Sequence, residues 1–89
     1  MAKVGKLAGM IMKNLTAIAL KYNTQDDAPS VAAHGNMLLA KEMKSIARRY
    51  GVPICTNEKL ADDLSQVETS NIIPENLYFP VAKILVRKM

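Results

Sequence analysis

Chemistry has few places to reside in this chain. His34 and Cys55 are its single histidine and its single cysteine, so a zinc site built from Cys and His ligands is excluded on ligand count. His34 stands at the end of a strand-like run, just before Gly35, where it reads as a partly exposed turn residue and not as a general base. A lone cysteine cannot close an internal disulfide, which fits a reducing compartment. Unpaired cysteines behave mostly as small hydrophobes, so Cys55 is expected to be a buried thiol. The carboxylate pairs Asp26-Asp27 and Asp62-Asp63 are sequence neighbours; such pairs are ordinarily solvated and do not by themselves make an acid/base couple. No glycine-rich phosphate loop of either the P-loop or the dinucleotide spacing occurs. The expectation is a chain with no catalytic residues, no cofactor, no metal and no small-molecule substrate.

What remains is binding. The net charge of +4 suits an anionic partner, and Lys41, Lys44 and Arg48 share one face of a helix with Arg49 nearby. That stripe makes a small basic nucleic-acid-binding domain the competing function. Glu42 interrupts it, however, and three Tyr and one Phe in the whole chain leave few platforms on which bases could stack. Nucleic acid is the weaker expectation, and a protein partner the stronger.

The elements that position these groups follow from the patterning. A chain of 89 residues, 49% of them hydrophobic, has the size and composition of one globular domain. The most apolar stretch, residues 7–20, is broken by Lys13 and Asn14 and is shorter than the roughly 20 residues a membrane span requires. No small-residue cleavage site follows it. The expected location is therefore the cytoplasm, with no transmembrane segment. Residues 1–10, with Gly5 and Gly9, suggest a frayed lead-in, so residues 1–14 are expected to form an N-terminal arm or an edge strand and residues 15–89 the folded domain.

Residues 16–22 alternate Ile18, Leu20 and Tyr22 against Ala17, Ala19 and Lys21, the pattern of a half-buried strand. A polar, acidic loop ends at Pro29, and residues 30–33 form a second strand stopping at His34-Gly35. The strongest helix runs from Asn36 to Tyr50, with Leu39, Met43, Ile46, Ala47 and Tyr50 at helical spacing and Gly51 as its stop. Residues 52–55 form a short strand, and Thr56 or Asn57 caps a helix burying Leu60, Ala61 and Leu64. A last helix follows Ile73-Pro74 and buries Leu77, Tyr78, Val81 and Leu85; Pro80 either kinks it or starts its regular part. The fold class is α/β, a small mixed sheet of three to four short strands with about three packed helices. The helix between Val31 and Ile54 is the crossover, right-handed if those strands are parallel neighbours.

Several words in this order resemble a known family. Ala19-Leu20-Lys21-Tyr22, Asp27-Ala28-Pro29 with Val31-Ala32-Ala33-His34-Gly35, Tyr50-Gly51-Val52-Pro53-Ile54, Asn57-Glu58-Lys59-Leu60-Ala61 and Ile73-Pro74-Glu75-Asn76-Leu77-Tyr78 with Val81-Ala82-Lys83-Ile84-Leu85 are similar to the cytoplasmic C-terminal domain of the flagellar and type III secretion export-switch proteins, the FlhB-like family. The resemblance spans residues 17–85 without obvious gaps.

The resemblance implies a switch beside the protein export gate, contacting gate proteins, export substrates and the length-sensing ruler protein. It also implies a hallmark Asn-Pro-Thr-His loop that cleaves itself, the Asn side chain attacking its own main-chain carbonyl. Counting back from Ala19, the hallmark positions fall on Met12, Lys13, Asn14 and Leu15, none of which matches. Without the nucleophile and the proline that presets the turn, no self-cleavage is expected, and the chain looks like a stand-alone paralogue of the cleaved C-terminal fragment. His34 stands where the family usually has lysine. The expected partner surface is the loop 24–29 with its neighbours, namely Lys21, Tyr22, Asp26, Asp27, Pro29 and His34.

Overall fold

The computed structural model describes residues 6–22 and 28–87. Strands β1 (Lys6–Lys13), β2 (Thr16–Tyr22) and β3 (Ser30–Asn36) are followed by helix α1 (Leu38–Arg49), strand β4 (Ile54–Thr56) and helix α2 (Glu58–Leu64). A 3-10 turn (Glu75–Leu77) then leads directly into helix α3 (Tyr78–Arg87). The strands form one mixed sheet in the order β3-β2-β1-β4, with β1 antiparallel to β2, β2 antiparallel to β3 and β1 parallel to β4. The α/β class and the four-stranded mixed sheet agree with the sequence.

The N-terminal stretch does not. From Lys6 onward it is neither a frayed arm nor an edge but an interior strand, paired on both sides. Met10, Ile11 and Met12 are all buried because helices cover both faces of the sheet. A strand buried on both sides is a continuous apolar run and lacks the alternation that marks a half-buried one. β2 shares this fate: Ala17, Ile18, Ala19 and Leu20 are all buried, so it is not half-exposed either.

Two cores result. Ile18 and Leu20 join Ile11, Val31, Leu60, Leu64, Ile73, Leu77 and Val81 under α2 and α3. On the opposite face Ala17 meets Met10, Met12, Ala40 and Ala47 beneath α1, with Met43 and Ile54 at the margin. Cys55 is half-buried against the larger core, not fully enclosed as expected.

β3 and β4 lie at opposite edges, so the helix between them is not a crossover linking neighbours. Three interstrand spacings separate the edges by about 14 Å. A helix of 12 residues, about 18 Å long, is enough to cross them. It crosses close to the sheet. A Cβ on Gly35 would stand 2.6 Å from Leu39 Cγ and 2.8 Å from Met43 Sδ, closer than atoms can pack.

The surface of small residues also changes which side of α1 is buried. Ala40 and Ala47 face inward with Met43 beside them, whereas Leu39, Ile46 and Tyr50 are 51%, 45% and 71% exposed. Of the five positions expected on the buried face, Met43 and Ala47 turn inward and Leu39, Ile46 and Tyr50 do not.

The helix ends follow local chemistry. α1 closes on a Schellman motif: the Val52 N–H donates to the Ala47 carbonyl at 2.8 Å and the Gly51 N–H to Arg48 at 3.3 Å, with Gly51 left-handed at φ 71°. At α2 the capping residue is Asn57, whose Oδ1 accepts from the Leu60 N–H at 3.0 Å. Pro80 is the third residue of α3, inside the first turn, where backbone N–H groups have no intrahelical partner. The regular helix thus begins one residue before the start expected near Phe79, with Pro80 as its third residue and not its first. Tyr78 is 38% exposed and not buried as expected, and the side chain of Leu85 lies outside the described part.

Candidate functional site

The sheet separates the residues singled out in the sequence, His34 apart, into two groups at its opposite ends. Along β2, Thr16 and Tyr22 are about 20 Å apart.

One group gathers at the β2–β3 end. Lys21 pairs with Ser30 in the strand register, which brings Lys21 and Tyr22 beside Pro29. Lys21 is half-buried and Tyr22 exposed. The Pro29 carbonyl accepts the Ile73 N–H at 3.0 Å, and Val31 exchanges hydrogen bonds with Asn71 and Ser70 at 3.0 and 2.7 Å. Residues 70–73 thus cover this half of the β3 edge. Asp26 and Asp27, with the rest of the loop 23–27, lie outside the described residues.

His34 is not with this group. It continues β3 past the expected stop, pairs with Ile18, and sits about 10 Å along the sheet from Lys21. Its Nε2 lies 3.1 Å from the Val67 carbonyl, which can only accept, so Nε2 carries the proton. The imidazole fastens the edge strand to the segment after α2.

The other group forms the β1–β2 turn. Lys13 pairs with Thr16, and Asn14-Leu15 makes a two-residue turn with Asn14 at φ 48°, a conformation asparagine tolerates better than most residues. The Leu15 carbonyl accepts the Met37 N–H at 2.8 Å, and the Met12 carbonyl accepts the Asn57 N–H at 3.0 Å. Lys13 Nζ donates to Asp62 Oδ1 at 2.7 Å, and this hydrogen bond holds the ammonium above its ordinary pKa. Met12 is buried in the α1 core, while Asn14 and Leu15 are exposed. Nothing here resembles a nucleophile with its base. Among the described residues no group of three His, Cys, Asp or Glu side chains stands close enough to hold a metal ion.

A third feature escaped the sequence. Between α1 and the sheet lies an open apolar groove of about 170 Å³, lined by Gly9 and Met10 of β1, Ala19 of β2, Ala32 and Ala33 of β3, and Met43, Ile46 and Ala47 of α1, with Val52 beyond its end. A β-bulge at Ala32, where Ala19 pairs with Ala33 and Leu20 with Val31, widens the strand there. The alternating alanines of β2, repeated at Ala40 and Ala47 of α1, were the signal that the helix would bury its small side and leave Leu39 and Ile46 outside.

Comparison with known proteins settles the kinship of this arrangement. A model of the FlhB HrpN YscU SpaS family matches residues 1–87. The chain belongs to that family. Within it, the chain is 35% identical over 83 residues to the flagellar biosynthetic protein FlhB of Helicobacter pylori, covering 90% of this chain and 23% of that protein. It thus spans about a quarter of such relatives. It is 38% identical over 69 residues to the uncharacterized protein YlqH of Bacillus subtilis, covering 76% of this chain and 74% of that one. The crystal structure of the cytoplasmic domain of FlhB from Shewanella putrefaciens superposes with a TM-score of 0.87 at 27% identity, covering 92% of this chain and 65% of that domain. The FlhB-like chain is therefore a homologue of the C-terminal cytoplasmic domain, and no helix among its described residues is long and apolar enough to cross a membrane.

Proposed function

We propose that this FlhB-like domain is a non-enzymatic, protein-binding module of a flagellar or type III export apparatus, held at the inner face of the membrane by its partners. The observation that carries the proposal is the family match across residues 1–87 together with the fold of an FlhB cytoplasmic domain. The partner surface is the β2–β3 end of the sheet: Lys21, Tyr22 and Pro29 sit together there on a scaffold pinned by residues 70–73. Loops and strand ends carried on a rigid core commonly do the binding. Asp26 and Asp27 belong to the same proposed surface by sequence.

The β1–β2 turn supports the absence of self-cleavage. Asn14 lies in the exposed turn, but its neighbours Lys13 and Leu15 supply neither a base nor a preset proline.

Co-purification from lysate, with a Lys21→Glu, Tyr22→Ala double variant as control, tests the binding role. Export-gate proteins recovered by the native chain and lost by the variant support it. Protein export unchanged after deletion of the gene would count against it. Intact-mass measurement after prolonged incubation should return one uncut chain; a fragment ending near the β1–β2 turn would refute the non-cleaving reading.

A further inference from the structure

We propose that residues 37–52 form a cover that opens and closes as a unit over the Met10 and Met12 face of the sheet, while the sheet, α2 and α3 stay folded. The device is built into the fold itself and does not depend on the reading of the domain as a protein-binding module.

The helices on the two faces of the sheet are attached unequally. α2 has seven residues and buries Leu60, Ala61 and Leu64. α1 has twelve and buries only Ala40 and Ala47, with Met43 partly covered. Stabilisation follows the apolar area removed from water, so the longer helix is held by the weaker force. Leu39, Ile46 and Tyr50, which could have added to it, lie exposed along one side of α1. An element with few buried apolar contacts opens at a lower free energy than the whole molecule.

The start of α1 adds strain. Met37, the residue before the helix, has φ 58° and ψ −123°. Glycine adopts such a conformation freely, whereas a Cβ crowds the backbone there, so a bulky residue held in it stores strain. In this conformation the Met37 N–H reaches the Leu15 carbonyl at 2.8 Å. No side chain caps α1 and no acid stands in its first turn to meet the helix dipole, whereas α2 has both, in Asn57 and Glu58. Lys44 and Arg48, one turn apart on the same side, repel each other. Opening relieves each of these. Against them stand the Schellman turn at Gly51 and the close fit on Gly35, which return the helix to one seat.

The flanking chain is anchored without α1. Asn36 pairs with Thr16, and the Pro53 carbonyl accepts the Met10 N–H at 2.9 Å. β3 and β4 lie three strand spacings apart, about 14 Å, within reach of a flexible segment of this length. Opening uncovers Met10, Met12 and Ala17, an apolar face in which methionine adapts readily to a new neighbour.

Native-state hydrogen exchange by NMR, in low denaturant, tests this on the purified chain alone, so the outcome is independent of whether export-gate proteins are recovered. The amides of Glu42 to Arg49 should share one opening free energy, with a smaller denaturant dependence than the amides of β2, and should exchange at least about tenfold faster. A common free energy and a common denaturant slope for α1 and β2 would overturn the proposal. Met37→Gly should slow exchange in α1 by about tenfold, whereas Met37→Ala, which keeps the Cβ, should not. Equal effects of the two would also overturn it, since no strain would then be released. A thiol probe gives a second reading in a Cys55→Ser background, with Ala47→Cys beneath α1 compared with Ala61→Cys beneath α2, both positions being buried. At matched melting temperature Ala47→Cys should react with a thiol reagent at least about tenfold faster, and equal rates would count against the cover.

Discussion

Lys13 and Asp62, 49 positions apart, meet at 2.7 Å and join the β1–β2 turn to helix α2. The contact raises the lysine pKa, with the hydrogen bond to Asp62 as the largest cause. A raised lysine pKa stabilises the fold while both states are protonated and ceases to do so as pH climbs through the folded value.

The stability difference between the native chain and Asp62→Asn should therefore be constant from neutral pH up to the ordinary lysine value of 10.5 and shrink above it. Denaturant melts across that range check this. Since the pair is exposed to solvent, its size should also fall with added salt.

Gly35 holds α1 down on β3. Gly35→Ala should destabilise by about 1–3 kcal/mol through overpacking against Leu39 and Met43. Leu39 is half-exposed, so adding Leu39→Ala should recover part of that loss, and a double-mutant cycle would then show coupling. Additive effects would mean that the helix does not sit this close.

The phase of α1 can be read from two substitutions. Ile46→Ser should change stability by no more than about 0.5 kcal/mol, as exposed positions do. Ala47→Leu, one residue further, should cost about 1–3 kcal/mol because it faces Ala17 and Met10. Equal, large costs at both positions would restore the pattern suggested by the sequence, in which Ile46 and Ala47 share the buried face.

The two helix ends built from single residues should each respond. Asn57→Ala removes the acceptor for the Leu60 N–H and should cost about 1 kcal/mol. Gly51→Ala places a Cβ at φ 71° and should cost about 1–2 kcal/mol even though the space around it is empty. Thermal melts of both variants measure this.

The residues explain which parts of this molecule were legible. Alternation marks Ile18 and Leu20, Gly51 stops α1, and Asn57 starts α2, because each is decided within a few neighbours. β1 was taken for an arm or an edge strand because Gly5 and Gly9 suggest a frayed lead-in, and the unalternating run Met10-Ile11-Met12 marks an interior strand only once both faces of the sheet are known to be covered. On α1 Met43 and Ala47 were placed rightly and Leu39, Ile46 and Tyr50 were not, because alanines, and not the largest side chains, make the closest contact. His34 was placed in a turn because its partner, the Val67 carbonyl, belongs to a segment 33 residues away. Of the partner surface, the proximity of Lys21, Tyr22 and Pro29 follows from a strand pairing no short motif encodes, and the α1 groove from two elements packing together.

The central place of β1 bears on how the chain is made. Its partners on one side, Ile54 to Thr56, come more than 40 residues after Met10, and Asn57 closes the last hydrogen bond to Met12. Of the four strands of this sheet, the first to be synthesised is thus among the last to be completed. Until β4 emerges, the nascent chain exposes an unpaired edge rich in methionine and isoleucine, and such an edge invites association with other chains. Synthesis through α2 must therefore outpace that association for the sheet to close on itself.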